Sequence, residues 1–173
     1  MGVGPPGRTG RDQLTALDEG PLAALLAAPP DERIVVICCA RSPDGARRAL
    51  TTAGARLHEV PCVGGVHSSV VERFLRHGAV GVMIAGCPPR DCVAREGPRW
   101  LDQRLYHDRE AELQPRVDRR RVRIATFAAG LDADAVGAFD AFRQELSPLP
   151  LPVAVESFVG EAVCETAPIG ATT

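Results

Sequence analysis

A doubly wound parallel α/β sheet is the fold class this chain predicts, on three observations. Four apolar, β-branched runs occur in succession, each is followed by a segment of helical periodicity, and glycine or proline punctuates the joints. Strand-helix alternation of this kind implies parallel pairing, because right-handed crossovers lay the helices on both faces of the sheet. The 173 residues, 45% of them apolar, suffice for one such domain with a buried core and some flanking sequence.

The elements follow in chain order. Residues 1–32 read as an extension outside the core: 1–13 are rich in Gly, Pro and Arg, and LTALDEGPLAALLAA suggests one short helix before the PPDE break. The α/β domain then spans 33–146. RIVVICC is a continuous run suited to a strand buried on both faces, and PDGARRALTTAG supplies a helix with a closing glycine. ARLHEVPC and HSSVVERFLRHG repeat the unit, with Val70, Val71, Phe74 and Leu75 as the apolar stripe and Gly78 as the stop. AVGVMIAGC is a third strand, and PRWLDQRLYHDREAEL a third helix with Pro98 in its first turn and Leu101 and Leu105 on one face. RVRIATFAAG and DADAVGAFDAFRQEL make the fourth unit, with Val136, Phe139 and Phe142 at helical spacing. The proline-punctuated tail, 147–173, carries Leu149, Leu151, Val153, Val155, Phe158 and Val159. That is too much apolar surface for a free linker, so the tail is expected to pack on a partner subunit.

Composition narrows the function. The net charge of −2 shows no excess of basic groups, so no surface field gathers phosphates and nucleic acid is not an expected partner. No apolar run approaches the roughly 20 residues that cross a bilayer. The N-terminus lacks the hydrophobic stretch of a secretory signal, and Pro6 stands where a myristoylation motif takes Ser or Thr. The reading is a cytoplasmic protein, in which six cysteines point to metal or redox chemistry rather than to disulfides.

Cys38 and Cys39 end the first predicted strand, Cys62 the second and Cys87 the third, with Cys92 in the loop beyond. All five therefore fall at the carboxyl edge, where open α/β sheets collect ligands. Cysteines that merely fill a core would be scattered through strand interiors. In GCPPRDCVAREG, Cys87 and Cys92 have a C-x4-C spacing found among iron-sulfur ligands, in a loop that two prolines stiffen before any ligand binds. A zinc site would also rely on thiolates, since His67 starts a helix and His58, His77 and His107 are expected to face solvent; spacing alone does not separate zinc from iron-sulfur. CCARSPDG contains no glycine-rich phosphate loop, so no bound nucleotide or flavin is indicated. Asp91 reads as a turn residue, while Arg90 and Arg95 are either solvated loop charges or groups that dock an acidic surface or favour thiolate. RVDRRRVR, 116–123, is a solvated turn or docking patch at the edge opposite the cysteines, Trp100 and Tyr106 are packing residues, and Cys164 lies outside the ligand set.

RIVVICC, VPCVGG and above all GCPPRDCVAREG resemble the delta-subunit family of methyl-viologen-reducing hydrogenases, the hydrogenase iron-sulfur subunits, over roughly residues 33–146. Of the family's G-C-H-P-G-D-C-H-Y-x-x-G-N signature, Gly86, Cys87, Pro89, Asp91, Cys92 and Gly97 match, whereas Pro88, Arg90, Val93, Ala94 and Pro98 depart from it. Cys38 fits the first position of a family C-x-x-C whose second position is Arg41 here; Cys62 and Gly64 match a C-x-G-R segment in which Gly65 replaces the arginine. The resemblance implies a small flavodoxin-like domain carrying a [2Fe-2S] cluster on Cys62, Cys87, Cys92 and Cys38 or Cys39. It implies electron transfer between a hydrogenase or dehydrogenase module and a flavin- or iron-sulfur-containing oxidoreductase subunit, with no independent catalytic site. The departures motivate a second reading, a docking or assembly subunit without a cluster. A third, a thiol enzyme with a low-pKa cysteine, ranks last because no histidine is spaced as its base.

Overall fold

The computed structural model describes residues 9–18, 20–107, 112–128 and 130–152. Four strands, β1 (Ile34–Cys39), β2 (Arg56–Val60), β3 (Gly81–Gly86) and β4 (Val122–Thr126), pair in parallel in the order β2-β1-β3-β4, as the strand-helix alternation predicts. The central strands β1 and β3 are buried at every position, which is why they read as unbroken apolar runs. The edge strands β2 and β4 keep exposed positions and tolerate Arg56, Glu59 and Arg123.

Helices α1 (Gly10–Asp18), α2 (Pro21–Leu26), α3 (Asp44–Thr52), α4 (Ser68–Arg76), α5 (Gly97–Tyr106) and α6 (Asp132–Leu146) cover the two faces. Val35, Ile37, Cys39, Val82 and Ile84 pack on one face with Phe74 of α4 and Leu101 of α5. Val36, Cys38 and Met83 pack on the other with Leu50 of α3 and Phe139 and Phe142 of α6. Alternate residues of one strand thus serve two separate cores.

Several elements differ from the sequence reading. The leading segment holds two helices, because Pro21 at the start of α2 cannot extend the helix before it. It also belongs to the core: Leu17, Leu22 and Leu25 are 0%, 6% and 1% exposed. The stretch expected as one long helix after Pro98 stops at Tyr106, and Leu113 turns back into the core with its N–H donating to Leu105 O at 3.2 Å. In α6 the buried positions are Ala135, Phe139, Phe142 and Leu146, with Val136 half-buried. His58 does not face solvent; it packs edge-on against Phe74 at 5.4 Å between ring centroids, and burial holds its pKa below the ordinary value. Trp100 is half-exposed, whereas Tyr106 is largely buried and donates to Val122 O at 3.1 Å. Leu149 packs against the α3/α6 core, but Val153, Val155, Phe158, Val159 and Cys164 lie outside the described residues. Among the described residues no helix is long and apolar enough to cross a membrane.

The arginine-rich run is a structural turn. Asp118 pairs with Arg120 at 2.8 Å, Glu112 pairs with Arg119, and Arg121 is buried, its guanidinium donating to Val80 O at 2.8 Å and Pro150 O at 2.5 Å. Bonds from a charged donor to carbonyls are strong, and removing the donor strands the buried Val80 acceptor. Arg121→Ala should lower unfolding stability by about 2–4 kcal/mol. Arg121→Lys should recover only part of it, because one ammonium cannot reach two divergent carbonyls as a guanidinium fork does; urea denaturation measures both.

Candidate metal centre at the carboxyl edge

The chain leaves β1 for β2 through α3 on one face, then returns past β1 to β3 through α4 on the other. Adjacent connections that part in this way open a crevice at the carboxyl ends of β1 and β3, the switch point where doubly wound sheets hold ligands. Cys39 is the last residue of β1 and Cys87 follows the last residue of β3, so both flank it. Cys39, Cys62, Cys87 and Cys92 line one cavity of about 390 Å³, whose rim includes Gln13, Arg41 and the exposed Val93. Cys38 points to the opposite face and borders a separate crevice with Arg47 and Phe127. Of the five sequence candidates, the fold gathers four in one cavity and turns one away.

Close backbone contact brings the loops together. Cys62 leads into a 3₁₀ turn, Val63–Gly65, whose Val63 N–H donates to the Cys39 sulfur at 3.3 Å. Arg104 of α5 clamps the same turn through Gly64 O at 3.1 Å and Val66 O at 2.8 Å. A Cβ on Gly64 would stand 2.5 Å from the Gly97 Cα, so the turn and the start of α5 touch only because residue 64 is glycine. A Cβ on Gly97 would stand 3.0 Å from the Cys62 sulfur and 3.5 Å from that of Cys92, so both thiols border the start of α5. The Cys87–Cys92 loop is closed by the Asp91 N–H on Pro88 O at 3.0 Å, then by the Arg95 N–H on Cys92 O at 2.8 Å. Arg95 has φ 64°, a left-handed conformation costly for a residue with a side chain.

The thiols differ in their electrostatics. Burial pushes Cys39 up to about 12, offset in part by the Val63 N–H and reinforced by Cys87 and Cys62 nearby. Burial also pushes Cys38 up to about 11, with Glu59 adding to the rise and Arg47 opposing it. Cys87 is raised by burial too, while the hydrogen bond it accepts from the Cys39 thiol works the other way. A cation or metal is what would convert such thiols to thiolates.

Among the described residues, no group of three or more His, Cys, Asp or Glu side chains is arranged to hold a metal ion. The four thiols instead line one cavity and interact with one another, Cys39 with Cys87 and Cys62, and Cys87 with Cys62 and Cys92. The donor set is all sulfur: His67 caps α4, accepting from Ser69 N–H at 3.2 Å, and His77 is bound to Arg73 O at 2.8 Å. Gln13 and Arg104 escaped the sequence reading. Gln13 lies about 50 positions before the turn it touches, and Arg104 reads as one more charge on an amphipathic helix.

Fold and cavity together define a parallel α/β domain with a four-thiol site at its switch point. Residues 34–149 match the family model described as methyl-viologen-reducing hydrogenase, delta subunit, and the chain belongs to that family. It is also 34% identical over 92 residues to an iron-sulfur subunit of the F420-non-reducing hydrogenase of Archaeoglobus profundus, a match covering 51% of this chain and 67% of the relative.

Three measurements test this geometry. In metal-free protein at pH 8, Cys38 and Cys39 should be alkylated about 100-fold more slowly than in the urea-unfolded chain, since a rise of two or more pKa units removes that much thiolate. By the same linkage the unfolded chain releases these protons first, so stability should be full below about pH 9 and fall as pH rises towards 11–12; pH-dependent urea midpoints report it. Gly64→Ala should cost about 1–3 kcal/mol by driving the turn off α5, whereas Arg95→Gly should cost nothing.

Proposed function

We propose that this protein is an electron-transfer subunit carrying a [2Fe-2S] cluster on Cys39, Cys62, Cys87 and Cys92. It would pass electrons between a hydrogenase or dehydrogenase module and a flavin- or iron-sulfur-containing protein partner. The observation that carries this reading is the convergence of four thiols on one cavity at the switch point. A binuclear cluster takes two thiolates at each iron, four in all, which is the number of thiols this cavity presents. Family membership and the relative's description as an iron-sulfur subunit support the same reading.

When bound, such a cluster supplies one reversible electron. The chain's residues set its environment. The Val63 N–H on the Cys39 sulfur and the Arg41 charge at the rim favour the more negative, reduced form and so raise the potential. Val60 and Val66 line the cavity with apolar surface. Partner protein would meet the rim at Val93 and Arg41, one apolar and one cationic contact next to the thiols. Cys38, turned to the other face, stands outside the ligand set.

Anaerobic reconstitution followed by iron and sulfide analysis and electron paramagnetic resonance of the dithionite-reduced protein tests the proposal. Expected are about two irons per chain and an S = 1/2 signal, lost on replacing Cys39, Cys62, Cys87 or Cys92 by Ser and kept in Cys38→Ser. A Cys38→Ser protein that fails to load, beside a Cys39→Ser protein that loads fully, would reverse the assignment. A folded protein that takes up no iron yet binds its partner would be the cluster-free docking subunit.

A further inference from the structure

We infer that Gln13, in a helical segment that precedes the family-matched residues, is a positioning residue for the thiol cavity: it holds the Cys62 turn and closes the cavity wall beside it. The inference deepens the electron-transfer reading, because it concerns access to the same four thiols. The family match begins at residue 34, so nothing in that match accounts for α1. Yet Gln13 lines the cavity with the four cysteines. Its side-chain amide is used at both ends: Nε2 donates to Gly65 O at 2.9 Å, and Oε1 accepts from His67 N–H at 3.2 Å. These two backbone groups bracket the end of the 3₁₀ turn that begins directly after Cys62. One planar amide thus spans the turn, as a peptide group of an adjacent strand would.

The helix that presents Gln13 is tightly fixed. Thr9 and Asp12 form a reciprocal cap, with Asp12 N–H donating to Thr9 Oγ1 at 3.2 Å and Thr9 N–H to Asp12 Oδ2 at 2.9 Å. Gly10 lies against the His67 ring, where a Cβ would stand 3.3 Å from Cγ. Leu17 is fully buried against α4, and Asp18 pairs with Arg73 of that helix. The amide therefore approaches the turn from a rigid base. The turn is held from two sides, by Arg104 on Gly64 and Val66 and by Gln13 on Gly65 and His67. Releasing one side frees Cys62 while leaving Cys92, whose loop Gln13 does not touch with a hydrogen bond, in place.

The test uses the full chain, metal-free, with the alkylation rate of each cysteine read by mass spectrometry in wild type, Gln13→Ala and Gln13→Glu. Both variants retain Leu14 and Leu17, so α1 stays docked. In Gln13→Ala, Cys62 should react about five-fold faster while Cys92 changes less than about two-fold, the signature of a local opening. Gln13→Glu keeps an acceptor for the His67 N–H but loses the donor to Gly65 O, and should give an intermediate Cys62 rate. Unchanged Cys62 rates in Gln13→Ala, or equal acceleration of Cys62 and Cys92, would overturn the inference, the latter by showing general loosening. Iron uptake by the reconstituted wild type separates the two readings. Selective Cys62 acceleration in a chain that takes no iron keeps the positioning role and removes the cluster; iron uptake with no Cys62 response does the reverse.

Discussion

Backbone contact between Gly64 and Gly97 is the constraint on which the thiol site depends. The two residues belong to loops from different crossover units, and a single Cβ at either would meet backbone or a cysteine sulfur at 2.5–3.0 Å. Their contact sets the Cys62 turn directly over the start of α5, which follows the loop carrying Cys92. Side-chain bonds then secure what the glycines permit. Arg104 reaches across from α5 to two carbonyls of the turn, and the Val63 N–H ties the same turn to Cys39 at the end of β1. Three chain segments far apart in sequence are thereby locked around one cavity.

Sheet topology supplies the rest of the arrangement. Because β1 sits between β2 and β3, its carboxyl end lies where the chain's connections diverge, and the crevice there needs no special sequence beyond the strand order. The pleat assigns Cys38 and Cys39 to opposite cores. Burial keeps both protonated, at about 11 and about 12, so neither resembles an activated nucleophile. This weakens the thiol-enzyme reading for these residues and fits thiols that ionise on binding a metal.

Charge is arranged to organise the structure more than to advertise it. The densest arginine run folds into a turn whose members pair with Asp118 and Glu112 or, in Arg121, cap backbone carbonyls. Glu72, itself buried, accepts from Gln114 N–H at 3.0 Å and Arg116 at 3.1 Å, anchoring the connection from α5 to β4. At the cavity rim, by contrast, Arg41 stands exposed beside Val93. On the proposed reading, the surface that a partner would meet is therefore distinct from the densest arginine run.

The sequence by itself determined the parallel α/β class, the order of the four units, and the presence of cysteines at one sheet edge. These follow from local periodicity and strand length, which neighbouring residues report directly. The signature loop likewise carried the family. Only the tertiary structure decided that Cys39 rather than Cys38 shares the cavity, because two adjacent residues on a strand differ by a register that no spacing rule reveals. It also decided that the N-terminal segment joins the core and that Gln13 and Arg104 brace the Cys62 turn. Contacts between segments forty or more residues apart leave no local pattern, and a buried Leu17 or a doubly bonded Gln13 looks, in one dimension, like any residue of a short amphipathic helix.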